Sequence, residues 1–462
     1  MLDKKLMSDL IAIVMHGGAD FAEVFAEYSH NSAISYADRK IENTSNRIIS
    51  GVGIRAFVGT KTYFASTVDL TPSGLRECAR RVAQAVGSPV DRIPDFCLHE
   101  RINPNIHPIE ILPTDVPAAE RAALLRAGCA KAYEAGEQII QVSGSLMSME
   151  KNFEVANSEG LYTSDRQVRT RMAVSAIASN GTENQVGACS PGRSMGLEFF
   201  DKIMTPEQIG AEAARQALVN IRAIPCPSGK MTVAIANGFG GVIFHEACGH
   251  SLEASAVGIG MSQMCGKFGK QIANPKVTAI DDGTIPNAWG SCNIDDEGNP
   301  MQRRVLIKDG ILTSYMIDRL GSRRMGMPHT ASGRRQDYSY ETTSRMTNTF
   351  IDNGPDRNED IIASMENGIY CAAMGGGSVN PFTGGFNFAV REGYLVRNGQ
   401  ICEPIRGASL IGTGSEVLMN IDMVGQDLDT AQGMCGSSSG SVPVDVGQPL
   451  IRVSEITVGG QA

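Results

Sequence analysis

Histidine is scarce in this chain, with seven in 462 residues. Basic charge is short as well. Forty-one Lys and Arg stand against fifty Asp and Glu, giving a net charge of −9 and a pI of about 5.4. That balance excludes a general nucleic-acid binder, which needs a basic face. The eleven cysteines are scattered, odd in number and nowhere spaced C-x-x-C. A disulfide framework is therefore excluded, and the expectation is reduced thiols in a cytoplasmic protein. No apolar run approaches the length of a membrane span. The opening MLDKKLMSDLIAIVMHGGAD starts like a signal peptide, but its apolar run is only IAIVM and Asp9 interrupts the longer stretch. Leu2, Leu6, Leu10, Ile13 and Val14 fall instead on one side of a short amphipathic helix. Tandem repeats are absent too.

What is present is an ordinary globular composition, 42% hydrophobic, over a length that suits two or three domains. Residues 21–67 alternate in short runs (AEVFAEYS, SAISYAD, GVGIRAFVG, KTYFAST), which predicts antiparallel strands. Thr71-Pro72-Ser73 starts a helix through LRECARRVAQAV. Six of the twenty prolines then fall between residues 89 and 117, marking an extended connection. AAERAALLRAGCAKAYEAG predicts a helix, residues 137–195 read as β, and TPEQIGAEAARQALVNI reads as a capped helix that PCPSGK (225–230) ends. The predicted fold class is α+β: an N-terminal domain, 1–225, of mixed sheet with helices, and a strand-rich C-terminal domain, 226–462. A helix opening at Asn237-Gly-Phe-Gly-Gly carries the most informative motif.

That motif is FHEACGHSLEAS (244–255), which places His245 and His250 five residues apart with Glu246 after the first. The metalloprotease arrangement is H-E-x-x-H, with the histidines four apart and the glutamate as general base. In a straight helix, five residues turn the second imidazole about 140° from the first. A single π-type turn would return both to one face. Alternatively the helix ends near Gly249 and His250 swings round from beyond it. Otherwise the two are ordinary hydrogen-bonded histidines near a helix end. A catalytic zinc takes three protein ligands and leaves the fourth position open. Cys248 and Glu253 lie near enough in sequence to supply one, against bland readings as a packed thiol and an exposed glutamate. Cys435, in GMCGSSSGS, is the other candidate, and spacing alone does not select among them.

HEACGHSLEAS, RVLIKDGILTSYMIDR, SRMTNTFI and MCGSSSGSVPVDVGQPLIRVSEITVGG occur in the order found in the TldD/PmbA family of metalloproteases, and the chain resembles its TldD-type, metal-bearing branch. The match is close over the second half and looser over the first. The resemblance implies that His245, His250 and Cys435 hold one zinc per chain, that Glu246 is the catalytic base, and that Cys248 and Glu253 support or pack. It implies hydrolysis of peptides or unfolded segments in a cavity enclosed by a dimer, with a PmbA/TldE-type partner or with a second copy. One departure stands out: the family's CGKxGQ is CGSSSG here. A thiolate ligand makes the zinc a weaker Lewis acid than three histidines would, so slow, processing-type proteolysis is expected. Two other classes stay open. One is a non-catalytic interaction subunit stabilised by metal with a fourth ligand such as Cys248; the other is a metal-free cysteine hydrolase using Cys248. RLGSRRMGMPHTASGRR (319–335) holds five arginines. It is either a solvated loop or a site where Arg334 and Arg335 capture substrate carboxylates and His329 serves as an oxyanion donor.

Overall fold

The computed structural model describes residues 2–380 and 383–460 and has an α+β architecture. Helix Lys4–His16 is capped by the Asp3 side chain, which accepts from the Lys5 amide, and it buries Met7, Leu10, Ile11 and Val14. The short runs of residues 21–67 are in fact three strands, Phe21–Ala37, Lys40–Val58 and Lys61–Thr67, the first two long. Alternation hid their length because it appears only where one face is buried. In the second strand residues 42–48 are exposed on both faces and residues 51–57 are buried on both.

These strands join Ile139–Asn157 and Leu161–Ser179 in one eight-stranded sheet, antiparallel apart from the short strand His99–Arg101 in the proline-rich connection. Helices Lys4–His16 and Pro72–Val86 bury apolar faces on one stretch of it. Helices Ala118–Tyr133 and Pro206–Asn220 cover another. Thr71 and Thr205 cap their helices as the sequence predicts, Thr205 through a full capping box with Gln208.

From residue 224 onward the chain builds two further large sheets. In one, strands Asn367–Val379, Gly229–Ile235, Ile451–Gly459, Ser409–Thr413 and Gly385–Arg397 pair in turn, and the last pairs back to the first. The other is six-stranded, with Ala279–Asp282, Asn348–Ile351, Gly440–Gln448 and Asp429–Ser437 side by side and the last at its edge. Between these sheets lies the largest apolar core.

The early sheet meets the later residues through buried charge. Glu23 accepts from Arg55 (3.0 Å) and Arg335 (2.7 Å), and Arg55 also pairs with Glu297 at 2.7 Å. Burial alone would raise the Glu23 carboxyl, but the two arginines hold it below its ordinary value. The arginine-rich segment is not a solvated loop. Its first part is helix Arg319–Met325, where Arg319 pairs with Glu159 and Arg323 with Asp20. All eleven cysteines are unpaired. Among the described residues no helix is long and apolar enough to cross a membrane.

Candidate metal centre

The predicted motif helix is shorter than its sequence suggests. Gly238–Gly241 forms a 3-10 turn, the α-helix proper covers only Val242–Ala247, and a second 3-10 turn follows at Gly249–Leu252. Of the two distortions the spacing allowed, the chain uses termination and not a π turn. Cys248 makes the break, at φ −131° and ψ −43°. Gly249 permits it for a different reason: a Cβ there would stand 2.4 Å from the Met346 sulfur. The bend brings the two imidazoles edge to face, with ring centroids 5.1 Å apart.

Cys435 arrives from the far end of the chain. It lies on strand Asp429–Ser437, opposite Val442 in a hairpin, rather than in a loose glycine loop. Its sulfur is 3.3 Å from Nε2 of His245 and 3.3 Å from Nε2 of His250. The ligand atoms of all three residues lie within 4.8 Å of one another. Metal–nitrogen and metal–sulfur bonds of zinc length place tetrahedral neighbours about 3.5 Å apart, so the donor set fits such an ion.

The outer ring atoms are already occupied. His245 Nδ1 lies 3.0 Å from the Thr349 hydroxyl, and His250 Nδ1 lies 3.3 Å from Glu253. With both Nδ1 atoms engaged, both Nε2 atoms turn to the shared point, as supporting partners do in metal sites. The SRMTNT segment, to which the sequence assigned no task, therefore matters twice. Thr349 orients His245, and Arg345 donates to the Cys435 carbonyl and, at 2.9 Å, to Ser439 in the CGSSSG turn.

Burial alone would raise the Cys435 thiol, but the charges and hydrogen bonds of His245 and His250 hold it down to about 3. Burial alone would lower His250, but Glu253 and Cys435 keep it well above its ordinary value. Both shifts favour the thiolate and imidazolium forms of the pair. Glu246 stands on the open side, its carboxylate 3.8 Å from His250 Nε2. It borders a cleft of about 500 Å³ with His250, Cys435, Ser437 and Ser438, rimmed by exposed Ile259 and Met261.

Other candidates lie elsewhere. Cys248 is fully buried in the apolar core, outside the three-residue cluster, and burial pushes its thiol up to about 12. That leaves it unsuited both as a fourth ligand and as a nucleophile. Glu253 faces His250 and not the shared point. Arg334, Arg335 and His329 are not in the cleft wall. Arg335 is committed to Glu23, His329 lies half-buried beyond helix Arg319–Met325, and Arg334 lines a separate cavity.

Comparison with known proteins supplies the family. Three family models match in order: PmbA/TldA metallopeptidase domain 1 over residues 22–86, the central domain over 111–221, and the C-terminal domain over 228–460. The chain is 36% identical over 470 residues to a metalloprotease TldD homolog of Haemophilus influenzae, covering 99% of this chain and 97% of that protein. The chain belongs to the PmbA/TldD metallopeptidase family. A family metalloprotease of Methanothermobacter thermautotrophicus is 31% identical over 443 residues, 96% of each chain. A zinc metalloprotease TldD homolog of Saccharolobus solfataricus is 24% identical, over 96% of this chain and 97% of that one. The family fold is also seen in the crystal structure of TldE from Thermococcus kodakarensis. It superposes with a TM-score of 0.78 at 19% identity, over 98% of this chain and 100% of that one.

Proposed function

We propose that this chain is a zinc-dependent metallopeptidase that hydrolyses peptides or unfolded polypeptide segments. The observation that carries the reading is the convergence of His245, His250 and Cys435, each imidazole held at Nδ1 so that Nε2 is presented. These three residues would hold the ion, and three protein donors is the number used by catalytic rather than structural zinc sites. When bound, zinc lowers the pKa of a water and polarises the scissile carbonyl. The chain's own contribution is then definite. Glu246, beside His250 and open to the cleft, takes the proton of the attacking water and passes it to the leaving amine. The cleft's exposed apolar rim favours an extended, unfolded segment. The edge strand Asp429–Ser437, which carries Cys435, offers main-chain groups on which such a segment adds as a further strand.

The zinc name of one relative supports the choice of ion. The likeness to TldE supports a dimer with a PmbA/TldE-type partner, self-association being the other arrangement, with substrate enclosed between subunits. In the same reading the protein is cytoplasmic and divides near residue 225 into an N-terminal domain and a catalytic domain. Elemental analysis of the untagged protein and of Cys435→Ala tests the site. About one zinc per chain, lost in the variant, together with cleavage of an unfolded polypeptide that Glu246→Gln abolishes, is the expected result. Absence of metal after zinc is added back overturns the proposal.

A further inference from the structure

Behind the metal cleft lies a buried guanidinium without a counter-ion. Arg334 is 3% exposed, yet among the described residues it forms no ion pair, and its guanidinium makes one hydrogen bond, from Nη1 to the Met346 carbonyl at 2.6 Å. Its sequence neighbour shows the contrast, since Arg335 is paired with Glu23. Burying an unpaired charge is costly, so an arginine in this state calls for an anion that the chain does not supply.

Arg334 lines a cavity of about 230 Å³ together with Arg335, Arg169 and Lys151. Arg169 is spent on the carbonyls of Trp289 and Ser291 and on Gln167. Lys151 donates to the Gln336 carbonyl at 3.4 Å and sits 3.7 Å from both Glu27 and Asp296. The carboxylates of the wall are already engaged. Asp295 accepts backbone amides of Glu297, Asn299 and Gly333, Asp296 accepts the Arg335 amide, Glu27 accepts the Tyr338 amide, and Asp337 accepts the Ser339 amide and hydroxyl. Arg334 is thus a cationic, forked group of the cavity wall that has no carboxylate partner among the described residues, and a fork is the shape that receives a carboxylate.

Position ties this cavity to the centre. Met434, next to Cys435 and 50% exposed, borders the cavity, the metal cleft and an apolar groove of about 350 Å³ at Met147, Met149 and Trp289. The carbonyl that Arg334 holds belongs to Met346, between Arg345, which grips Cys435, and Thr349, which grips His245.

We propose that Arg334 receives a carboxylate of the peptide, its free C-terminus or an acidic side chain, while the adjoining groove takes an apolar side chain of the same peptide. The proposal rests on the peptidase reading above. Binding to zinc-loaded Glu246→Gln protein, measured by titration calorimetry, tests it with N-acetylated apolar hexapeptides in three forms. These are a free acid, a C-terminal amide, and an amide whose last residue is aspartate. A form carrying a carboxylate should bind about tenfold or more tightly than the plain amide, and Arg334→Gln in the same background should remove the difference. A preference for the free acid alone assigns the carboxylate to the chain end, a preference for the aspartyl amide alone assigns it to a side chain, and a preference for both shows that either carboxylate is received. Equal affinity for all three forms, no binding of any form, or a preference that survives Arg334→Gln overturns the proposal. If the glutamine variant does not fold, Arg334→Lys keeps the charge and loses the fork: a weakened preference supports the proposal and an unchanged one sinks it. Cleavage by the wild-type protein is read separately. Binding preference without cleavage removes the peptidase reading and leaves the receptor; cleavage without preference does the reverse.

Discussion

The Thr349 hydroxyl lies 3.0 Å from Nδ1 of His245, across 104 residues of chain. With Nδ1–H donating to that oxygen, the ring is held in the tautomer that leaves Nε2 free for a metal. Valine has the same shape without the hydroxyl, so Thr349→Val should keep the fold and release the ring. Zinc affinity should fall roughly 10- to 100-fold, read by competition with a chromogenic chelator. An unchanged affinity would mean that packing alone orients His245.

The two cysteines near the motif should separate cleanly. Cys435→Ala should lose zinc, whereas Cys248→Ala should retain it, because the Cys248 thiol lies in the apolar core away from the cluster. Mass spectrometry of both variants under native conditions decides the matter. Loss of metal from the Cys248 variant, with its fold intact, would reopen a structural site with four ligands.

Proton release gives a further check. The Cys435 thiol, held down to about 3 by the imidazoles against its burial, is already a thiolate at neutral pH, whereas His250 is raised and must give up its proton to bind metal. Zinc binding near pH 7 should therefore release about one proton, and apparent affinity should rise with pH until His250 has titrated. The sign follows from the raised value: protonation competes with metal below it and not above. Calorimetry in buffers of different ionisation enthalpy counts the protons. Release of two would place a proton on the thiol as well as on His250.

At the junction with the first sheet, Glu23 serves both Arg55 and Arg335, and all three side chains are buried. Glu23→Gln leaves the arginines short of one carboxylate and should destabilise the protein by roughly 3–5 kcal/mol. Urea unfolding measures it. A loss within the range of a surface substitution would show that water or Glu297 compensates.

Gly249→Ala should disturb the bend that unites the histidines. The added methyl meets the Met346 sulfur at 2.4 Å in a site with no exposed surface. Overpacking of this kind costs roughly 1–3 kcal/mol, and zinc affinity should drop with stability because Met346 lies between Arg345 and Thr349. Thermal unfolding with and without zinc separates the two effects.

Much of the architecture was readable from local sequence. Helix starts at Thr71 and Thr205 depend on a side chain and an amide three residues on, so capping residues announce them. The α+β class follows from periodicity, and the pairing of histidines with Glu246 from spacing. Strand length between residues 21 and 58 was not readable, because alternation fails where both faces share one environment. Cys435 could be picked from eleven cysteines only by likeness to a family, since no local spacing links it to His245, 190 residues earlier.

Tertiary structure alone decided how the pieces act. Whether five-residue spacing ends in a π turn or a broken helix depends on what packs against Gly249, and that is Met346, from a connection nearly a hundred residues further along the chain. Thr349 and Arg345 acquire tasks only because strand Asn348–Ile351, with the connection that leads into it, lies beside the hairpin of Cys435. Arg334 and Arg335 are chemically identical neighbours, yet one finds Glu23 and the other finds no carboxylate. A sequence states which groups are available; the partner each one meets is set by long-range packing, and with it the charge, orientation and accessibility on which chemistry depends.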